Sequence, residues 1–321
     1  MRLLRRSQPL GLAPMRLNPP EAGFLGLTVE TDLDLLEADA ALVGVPHGWP
    51  YPRPGATAGC ADAPAAVRRR SQRLARFRGH WDFDFDGPML PEGGRRLVDV
   101  GDVPGEPEDG AGNAERTTAA VRAVLERGAV PICIGGDDSV PIPILRGYEG
   151  RGPITVLQVD AHLDFRDEVD GVRDGYSSPM RRASEMEHVE RIVHVGLRGV
   201  GSARAGDVED ARAAGNLLVT ARQLRERGVT WVLEHLPADA SVFVAFDCDG
   251  LDPAVVPAVS AQAPGGLAYE EAADLLAGVG TRLCGAAVTE YVPEADESGQ
   301  SSLVVSRLLV GLLRGTSVAQ D

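Results

Sequence analysis

The chain has 321 residues, 44% of them hydrophobic and 25% charged, which is typical of a soluble globular protein with a sizeable core. Its formal net charge of −15 argues against nucleic-acid binding, which needs a basic surface, and is compatible with attracting a cationic substrate. All 32 basic residues are arginine, which excludes lysine Schiff bases, lysine general bases and the Walker-type phosphate lysine.

The first 38 residues are rich in proline and weakly periodic, which predicts an N-terminal arm followed by a single domain over 39–321. Residues 1–20 contain no apolar stretch of the kind found in signal peptides. The longest apolar run near the C-terminus, 303–313, contains Arg307 and is too short to span a bilayer. We therefore expect a cytoplasmic protein that does not bind membranes.

Apolar runs alternate with helical patterns along the rest of the chain. The runs predict strands at 41–45, 96–100, 129–134, 154–160, 192–196, 217–220, 241–247 and 284–290. Helical patterns lie at 63–77, 113–127, 207–214, 221–236, 268–279 and 301–314. About eight strands separated by helices predict an α/β protein with three α/β/α layers and a mostly parallel, doubly wound sheet.

Two of these strands end in acidic residues at alternate positions. The strand at 154–160 leads into Asp160, His162 and Asp164, which would share one face if the backbone stayed extended. The strand at 241–247 leads into Asp247 and Asp249 with the same spacing. Five ligands suited to a hard metal, placed at two strand ends, predict a two-metal site; the alternatives are a capping cluster and an Asx turn.

Two further strands end in acidic residues, which extends the acidic edge of the predicted sheet. Asp137 and Asp138 follow the strand at 129–134, and we expect one to cap the next helix and the other to reach the metals. Glu290 ends the strand at 284–290, where it would be either a salt-bridge partner or a functional residue. Ligands of parallel α/β sheets bind at this edge, so we expect a shared site.

The remaining candidates for metal ligands have simpler interpretations. The four cysteines include no CxxC pair, and we expect buried, reduced thiols, including Cys248 between two predicted ligands. His194 lies within the strand at 192–196 and is more simply explained as a hydrogen-bonded strand residue than as a ligand.

These segments together resemble the ureohydrolase family of arginases and agmatinases. The motifs that carry the resemblance run in family order from about residue 40 to 314 and are, in this sequence, GVP (44–46), RPG (53–55), VDVGDV (98–103), GGDDS (135–139), DAHLD (160–164), AFDCDGLDP (245–253), PGGL (264–267) and VTEYVP (288–293). The resemblance implies an arginase-like fold over 39–321 and a metal-dependent hydrolase that cleaves a guanidino C–N bond to release urea and an amine. It also implies two Mn²⁺ per subunit, with Ni²⁺ or another divalent metal as an alternative, a small cationic guanidino substrate and a trimeric or hexameric homo-oligomer.

The resemblance also implies a role for each residue. The carboxylates shared by both metals would be Asp160 and Asp247. His162 and Asp249 would complete one metal site, and Asp164 and Asp138 the other. Glu290 would hold the planar guanidinium by paired hydrogen bonds, while two cations lower the pKa of the attacking water.

Three departures from the family pattern affect this assignment. Asp138 replaces the histidine of the family's GGDHS motif, which makes the site more acidic. No histidine lies between His162 and His188, so Asp174 is our candidate for the family's proton-shuttling histidine. The segment 257–262 differs from the family's PGTGTP and would reshape the pocket.

The loop over 167–182 is predicted to line the entrance and to set specificity. There, Tyr176 is a candidate substrate-binding residue, and Arg173 is either an anchor for a substrate carboxylate or a surface charge. With Glu290, we count Asp164 and Asp174 as candidate catalytic residues. The alternatives are a hydrolase of another amidine, a formimino compound or a small guanidine, and a catalytically silent metal-binding paralogue.

Overall fold

A computed structural model describes residues 15–52, 58–91 and 93–315. Within these ranges eleven strands form a nine-stranded sheet and a short two-stranded sheet. The strands are β1 (Thr28–Val29), β2 (Ala40–Val45), β3 (Trp81–Asp82), β4 (Gly87–Pro88), β5 (Leu97–Asp102), β6 (Val130–Gly135), β7 (Ile154–Val159), β8 (Val189–Leu197), β9 (Leu217–Thr220), β10 (Ser241–Asp247) and β11 (Leu283–Thr289). All eight predicted strands form, and the large sheet gains the two-residue β1, which is too short to produce a sequence pattern.

The strand order of the large sheet is β1-β5-β2-β6-β11-β10-β7-β8-β9, and every neighbouring pair is parallel. Strands β3 and β4 form a separate antiparallel pair. Strands β6 and β7 follow each other in sequence but are separated in the sheet by β11 and β10. The carboxyl ends of these four central strands therefore meet, although they come from distant parts of the chain.

Helices connect the strands as predicted for a doubly wound fold. They are α1 (Ala63–Ala75), α2 (Gly110–Glu126), α3 (Pro141–Arg146), α4 (Pro179–Ser184), α5 (Ala205–Ala213), α6 (Ala221–Arg227), α7 (Val229–Leu233), α8 (Tyr269–Val279) and α9 (Gln300–Gly315). The predicted helix at 221–236 is interrupted at Gly228, whose φ of 83° lies outside the helical region. The six-residue α3 and α4 were not predicted, because one and a half turns carry too little periodicity.

Alternate residues of each central strand contribute to two separate hydrophobic cores. In β10, Val244 and Phe246 pack in the core that includes α9, whereas Phe243 and Ala245 pack in the core that includes α2. A sheet buried on both faces requires helices on both sides, which gives the three predicted layers. No helix among the described residues has the length and apolar composition needed to cross a membrane.

The described part of the predicted arm, residues 15–38, lies against the edge of the large sheet. Phe24 and Leu25 are buried in the core beside α1. The Phe24 amide donates to Asp99 Oδ2 at 2.8 Å, and Asp99 is also paired with the buried Arg68 at 2.8 Å. This ion pair connects α1, β5 and the arm.

Candidate metal centre

Acidic residues converge where the four central strands end. Asp138 follows β6, Glu290 follows β11, Asp247 ends β10 and Asp160 follows β7. These strands are neighbours in the order β6-β11-β10-β7, so the four carboxylates approach one edge of the sheet. The topology thus assembles the acidic edge that the sequence predicts.

Two groups of side chains are arranged so that each could hold one cation. One contains Asp160, His162 and Asp249, and the other contains Asp138, Asp160 and Asp164. In each group, one ligand atom from every residue lies within 4.8 Å of the others. Asp160 belongs to both groups, which is the geometry expected of a carboxylate that bridges two cations.

The residues after β7 do not converge in the way that a simple strand alternation predicts. The strand ends at Val159, and the next residues form a turn in which Asp164 has a φ of 46°. Asp164 belongs to one ligand group, whereas His162 belongs to the other. The expectation of one shared extended face is therefore wrong, although the predicted ligands still meet around Asp160.

The residues after β10 form a tight 3-10 turn over Cys248–Gly250. Asp249 accepts a hydrogen bond from the Ala161 amide at 3.1 Å and lies 3.0 Å from His162 Nδ1. Asp247 Oδ1 accepts from the Asp249 amide at 2.7 Å, and Asp247 belongs to neither three-residue group. Its role as a second bridging ligand stays a prediction. Cys248 is buried in the core, as expected.

The two aspartates after β6 have different environments. Asp137 Oδ1 accepts from the Ser139 amide at 2.9 Å, which makes a local turn before α3. The expected capping of α3 by an aspartate is wrong, because its N-cap is Val140 and no side chain among the described residues caps it. Asp138 instead lies in the group with Asp160 and accepts a hydrogen bond from the Thr289 hydroxyl at 2.7 Å. The sequence left open which aspartate would reach the site, and the structure brings Asp138 there.

Burial and mutual repulsion favour protonation of these carboxylates in the metal-free protein. Burial is the largest cause that raises the pKa values of Asp138, Asp160 and Asp247, and it raises the pKa of Asp164 to about 6. Repulsion from the charges of Asp164 and Asp247 adds to the effect of burial on Asp160, and a proton on one of these carboxylates relieves it. A divalent cation would replace that proton, and oxygen ligands with one imidazole suit a hard cation such as Mn²⁺. The donor set therefore fits two metal ions.

Glu290 borders this acidic cluster and is held from two sides. Its Oε1 accepts from the Asp138 amide at 2.8 Å, and Cys60 Sγ lies 3.7 Å from its Oε2. Its φ of 63° is unusual for a residue other than glycine, and such strain is common at functional sites. Burial, followed by the charge of Asp137, raises the Glu290 pKa to about 8. No pattern in the sequence indicated the contact with Cys60.

The predicted loop residues contact groups outside the two metal-ligand groups. Arg173 is exposed and pairs with Asp167 at 3.0 Å, whereas Asp174 pairs with Arg146 at 2.7 Å. The Asp174 carboxylate is thus engaged by α3, and its role as a proton shuttle stays a prediction. The Tyr176 ring packs edge-to-face on Tyr51, with centroids 4.5 Å apart. The RPG motif at 53–55 lies outside the described residues.

Sequence reasoning missed several residues that support the ligands. The Arg198 guanidinium donates to the backbone carbonyls of Asp249 at 2.6 Å and Leu251 at 3.1 Å, which ties down the turn after β10. Gln158 donates to Asp160 Oδ2 at 2.7 Å. Side chains of this kind are recognised by what they contact in space, and single-sequence motifs do not carry that information.

The fold and the site together define an α/β protein with a candidate binuclear metal centre at the carboxyl edge of its sheet. A model of the arginase family matches residues 38–314, and the chain belongs to that family. It is 31% identical over 317 residues to guanidinopropionase of Pseudomonas aeruginosa, with 95% of each chain covered. It is 29% identical over 313 residues to mitochondrial agmatinase of Gallus gallus, with 92% of this chain and 88% of the relative covered.

A solved structure of Trypanosoma cruzi formiminoglutamase with Mn²⁺ superposes with a TM-score of 0.78. It is 26% identical and covers 91% of this chain and 97% of its own. Arginase-family proteins are metal-dependent amidinohydrolases that use a binuclear divalent metal centre, and this chain is one of them. The activity of this class is cleavage of guanidino groups.

Proposed function

We propose that this protein hydrolyses a guanidino C–N bond and releases urea and an amine, with two divalent cations at the carboxyl edge of the sheet. The observation that carries the proposal is the position of Asp160 in both ligand groups, with Glu290 next to them. Mn²⁺ is our candidate metal, and Ni²⁺ the alternative. When bound, such cations supply Lewis-acid polarisation and lower the pKa of water.

Each of the six candidate metal ligands has a defined role in this proposal. Asp160 and Asp247 would contact both cations, and the other four ligands would divide between them. His162 and Asp249 would hold one cation, and Asp138 and Asp164 the other. Each group combines charged oxygens in a site from which bulk water is largely excluded, and this strengthens cation binding.

In this proposal Glu290 binds the guanidinium. Its carboxylate accepts a hydrogen bond from the Asp138 amide, which ties the proposed recognition group to the backbone of a metal ligand. A planar guanidinium matches a carboxylate through two parallel hydrogen bonds, which fixes the carbon that is attacked. Glu290 must be ionised to do this, and positive charge next to it favours the ionised form.

The entrance loop supports a cationic substrate. Arg173 pairs with Asp167, and Arg181 pairs with Asp210 at 2.7 Å, so acidic partners compensate both arginines. We therefore propose that guanidino amines bind better than guanidino acids, and that Tyr176 lies beside the distal end of the substrate. An anchoring role for Arg173 predicts the reverse preference.

Urea release tests the proposal directly. The protein is incubated with Mn²⁺, and separately with Ni²⁺, and then with agmatine, arginine, guanidinopropionate, guanidinobutyrate and guanidine. Urea from one compound, lost in Asp247→Ala and retained in the exposed control Asp210→Ala, supports the proposal. No urea from any compound, with two metals bound per chain, refutes it.

A second candidate is hydrolysis of a formimino or other amidine compound. Two observations favour it. No histidine lies between His162 and His188, where the resemblance implies a proton-shuttling histidine, and Asp174, our candidate for that role, is paired with Arg146. Ammonia or formamide release from formimino substrates, without urea from guanidino compounds, would identify this activity. Loss of all turnover with intact metal binding would indicate a silent paralogue.

Four further expectations stay predictions. They are the division into an arm over 1–38 and a catalytic domain over 39–321, the cytoplasmic location, the homo-oligomer of three or six subunits, and the absence of nucleic-acid or membrane partners. Size-exclusion chromatography with light scattering measures the oligomer. Cell fractionation determines the compartment.

A further inference from the structure

A chain of polar side chains runs from the start of β9 through β8 and β7 and ends on Asp160. Gln158 Nε2 lies 2.7 Å from Asp160 Oδ2, and Gln158 Oε1 is hydrogen-bonded to His194 Nδ1. His194 Nε2 lies 3.1 Å from Asn216 Nδ2. Gln158 belongs to β7, His194 to the adjacent β8, and Asn216 directly precedes β9. The chain therefore runs along the sheet from the partly buried Asn216 to the residue shared by both ligand groups.

The direction of every hydrogen bond in this chain is determined by the chemistry of its ends. An ionised Asp160 can only accept, so Gln158 must present its NH₂ group to it. The Gln158 carbonyl then faces His194, which must carry its proton on Nδ1. His194 Nε2 is left as an acceptor, and the Asn216 NH₂ group is a suitable donor. All three links thus agree on one sense of donation toward Asp160.

We propose that Gln158, His194 and Asn216 form a positioning chain that fixes the Asp160 carboxylate for two cations. This inference rests on the metal centre of the proposed function. Gln158 binds Oδ2, and the His162 amide binds Oδ1, so within the described part of the chain each oxygen has one donor. A carboxylate oxygen offers about two lone-pair directions, so each oxygen keeps one for a cation.

The surroundings of His194 suit a permanent neutral relay. Its side chain is fully buried, and burial lowers its pKa to about 3. The ring packs edge-to-face against Phe165, next to the ligand Asp164, with centroids 6.5 Å apart. A neutral imidazole with both nitrogens bonded has one tautomer and one ring orientation, which it transmits to Gln158.

Metal binding by the full chain tests the inference without using activity. Affinity is measured by competition with a chelator for Mn²⁺, and thermal unfolding is measured in excess chelator. Gln158→Leu and His194→Phe should lower the affinity of the weaker-binding metal 10- to 100-fold. Asn216→Ala, farthest from the site, should lower it about tenfold. The matched control is His188→Phe, because His188 precedes β8 and bonds to the Leu145 carbonyl at 2.9 Å, outside the chain.

The outcomes separate this inference from the proposed function. Wild-type protein that binds no Mn²⁺ refutes the metal centre itself. Wild-type protein that binds two ions, with variants that unfold at lower temperature but bind equally well, refutes the positioning chain alone. If His194→Phe does not fold, Asn216→Ala still decides the question. Nitrogen NMR shifts of His194 in the wild-type protein give an independent test, since a proton on Nε2 overturns the proposed direction of donation.

Discussion

The metal-free protein should be stabilised by removing one of its own candidate ligands, Asp164. Burial raises the Asp164 pKa from 3.8 to about 6 in the folded protein. A folded-state pKa above the unfolded value means that folding is most favourable below pH 3.8 and loses stability as the pH rises to about 6. One pKa unit corresponds to about 1.36 kcal/mol, so ionised Asp164 costs the folded state about 3 kcal/mol above pH 6.

Urea denaturation in excess chelator measures this cost. Asp164→Asn should be about as stable as the wild type at pH 4 and about 3 kcal/mol more stable at pH 7. The two proteins must be compared at each pH, because other carboxylates also change the free energy of unfolding. Asp82 and Asp296 have lowered pKa values, so their protonation on acidification lowers the stability of both proteins alike. The exposed control Asp210→Asn should show no such pH-dependent gain.

Saturation with Mn²⁺ should reverse the order of stability. A ligand that binds only the folded state stabilises it in proportion to the logarithm of its concentration over Kd, and Asp164→Asn should bind the metal more weakly. Equal free energies of unfolding for Asp164→Asn and the wild type at pH 7 in chelator would contradict this prediction. An equal increase in the free energy of unfolding of both proteins on addition of Mn²⁺ would also contradict it.

Three further changes have defined outcomes. Glu290→Gln should retain two bound metals, measured by elemental analysis, but lose at least 100-fold in kcat/KM, because a neutral amide cannot pair with a guanidinium. Gly201→Ala should weaken Mn²⁺ binding in chelator competition, because a Cβ there would lie 2.4 Å from the His162 ring; unchanged affinity would contradict this contact. Arg68→Ala should lower the free energy of unfolding by about 3 to 5 kcal/mol, because it leaves Asp99 buried without its charged partner. Urea denaturation measures this change, and an unchanged free energy of unfolding would show that the ion pair contributes little.

The sheet was predictable because its central strands are apolar on both faces and therefore form continuous apolar runs. The run at 154–159 and the run at 241–246 could hardly be anything but buried strands, and the acidic residues after them needed no alignment to be noticed. Edge strand β1 has two residues and no such signal. Its partner β5 lies far away in the sequence.

The geometry of the site was less predictable than its composition. Asp164 has a left-handed backbone and belongs to a different ligand group from His162, and nothing in the DAHLD segment indicates either feature. The ion pair that engages Asp174 comes from α3, a helix too short to be predicted. His194 was correctly expected to be a hydrogen-bonded strand residue, but its link to Asp160 through Gln158 requires the register of β7 against β8.

The GGDDS motif predicts that Asp138 replaces a family histidine, and the contacts of Asp138 indicate what such an exchange would change. Its backbone amide, which anchors Glu290, is independent of the side chain at this position. Its side chain accepts from the Thr289 hydroxyl, so the carboxylate has a donor of its own in the strand beside it. Exchange between histidine and aspartate at 138 would therefore change the charge of one ligand group by about one unit and leave the anchoring of Glu290 intact. The expected consequence is a stronger preference of that group for hard cations, because an added carboxylate favours them over softer metals.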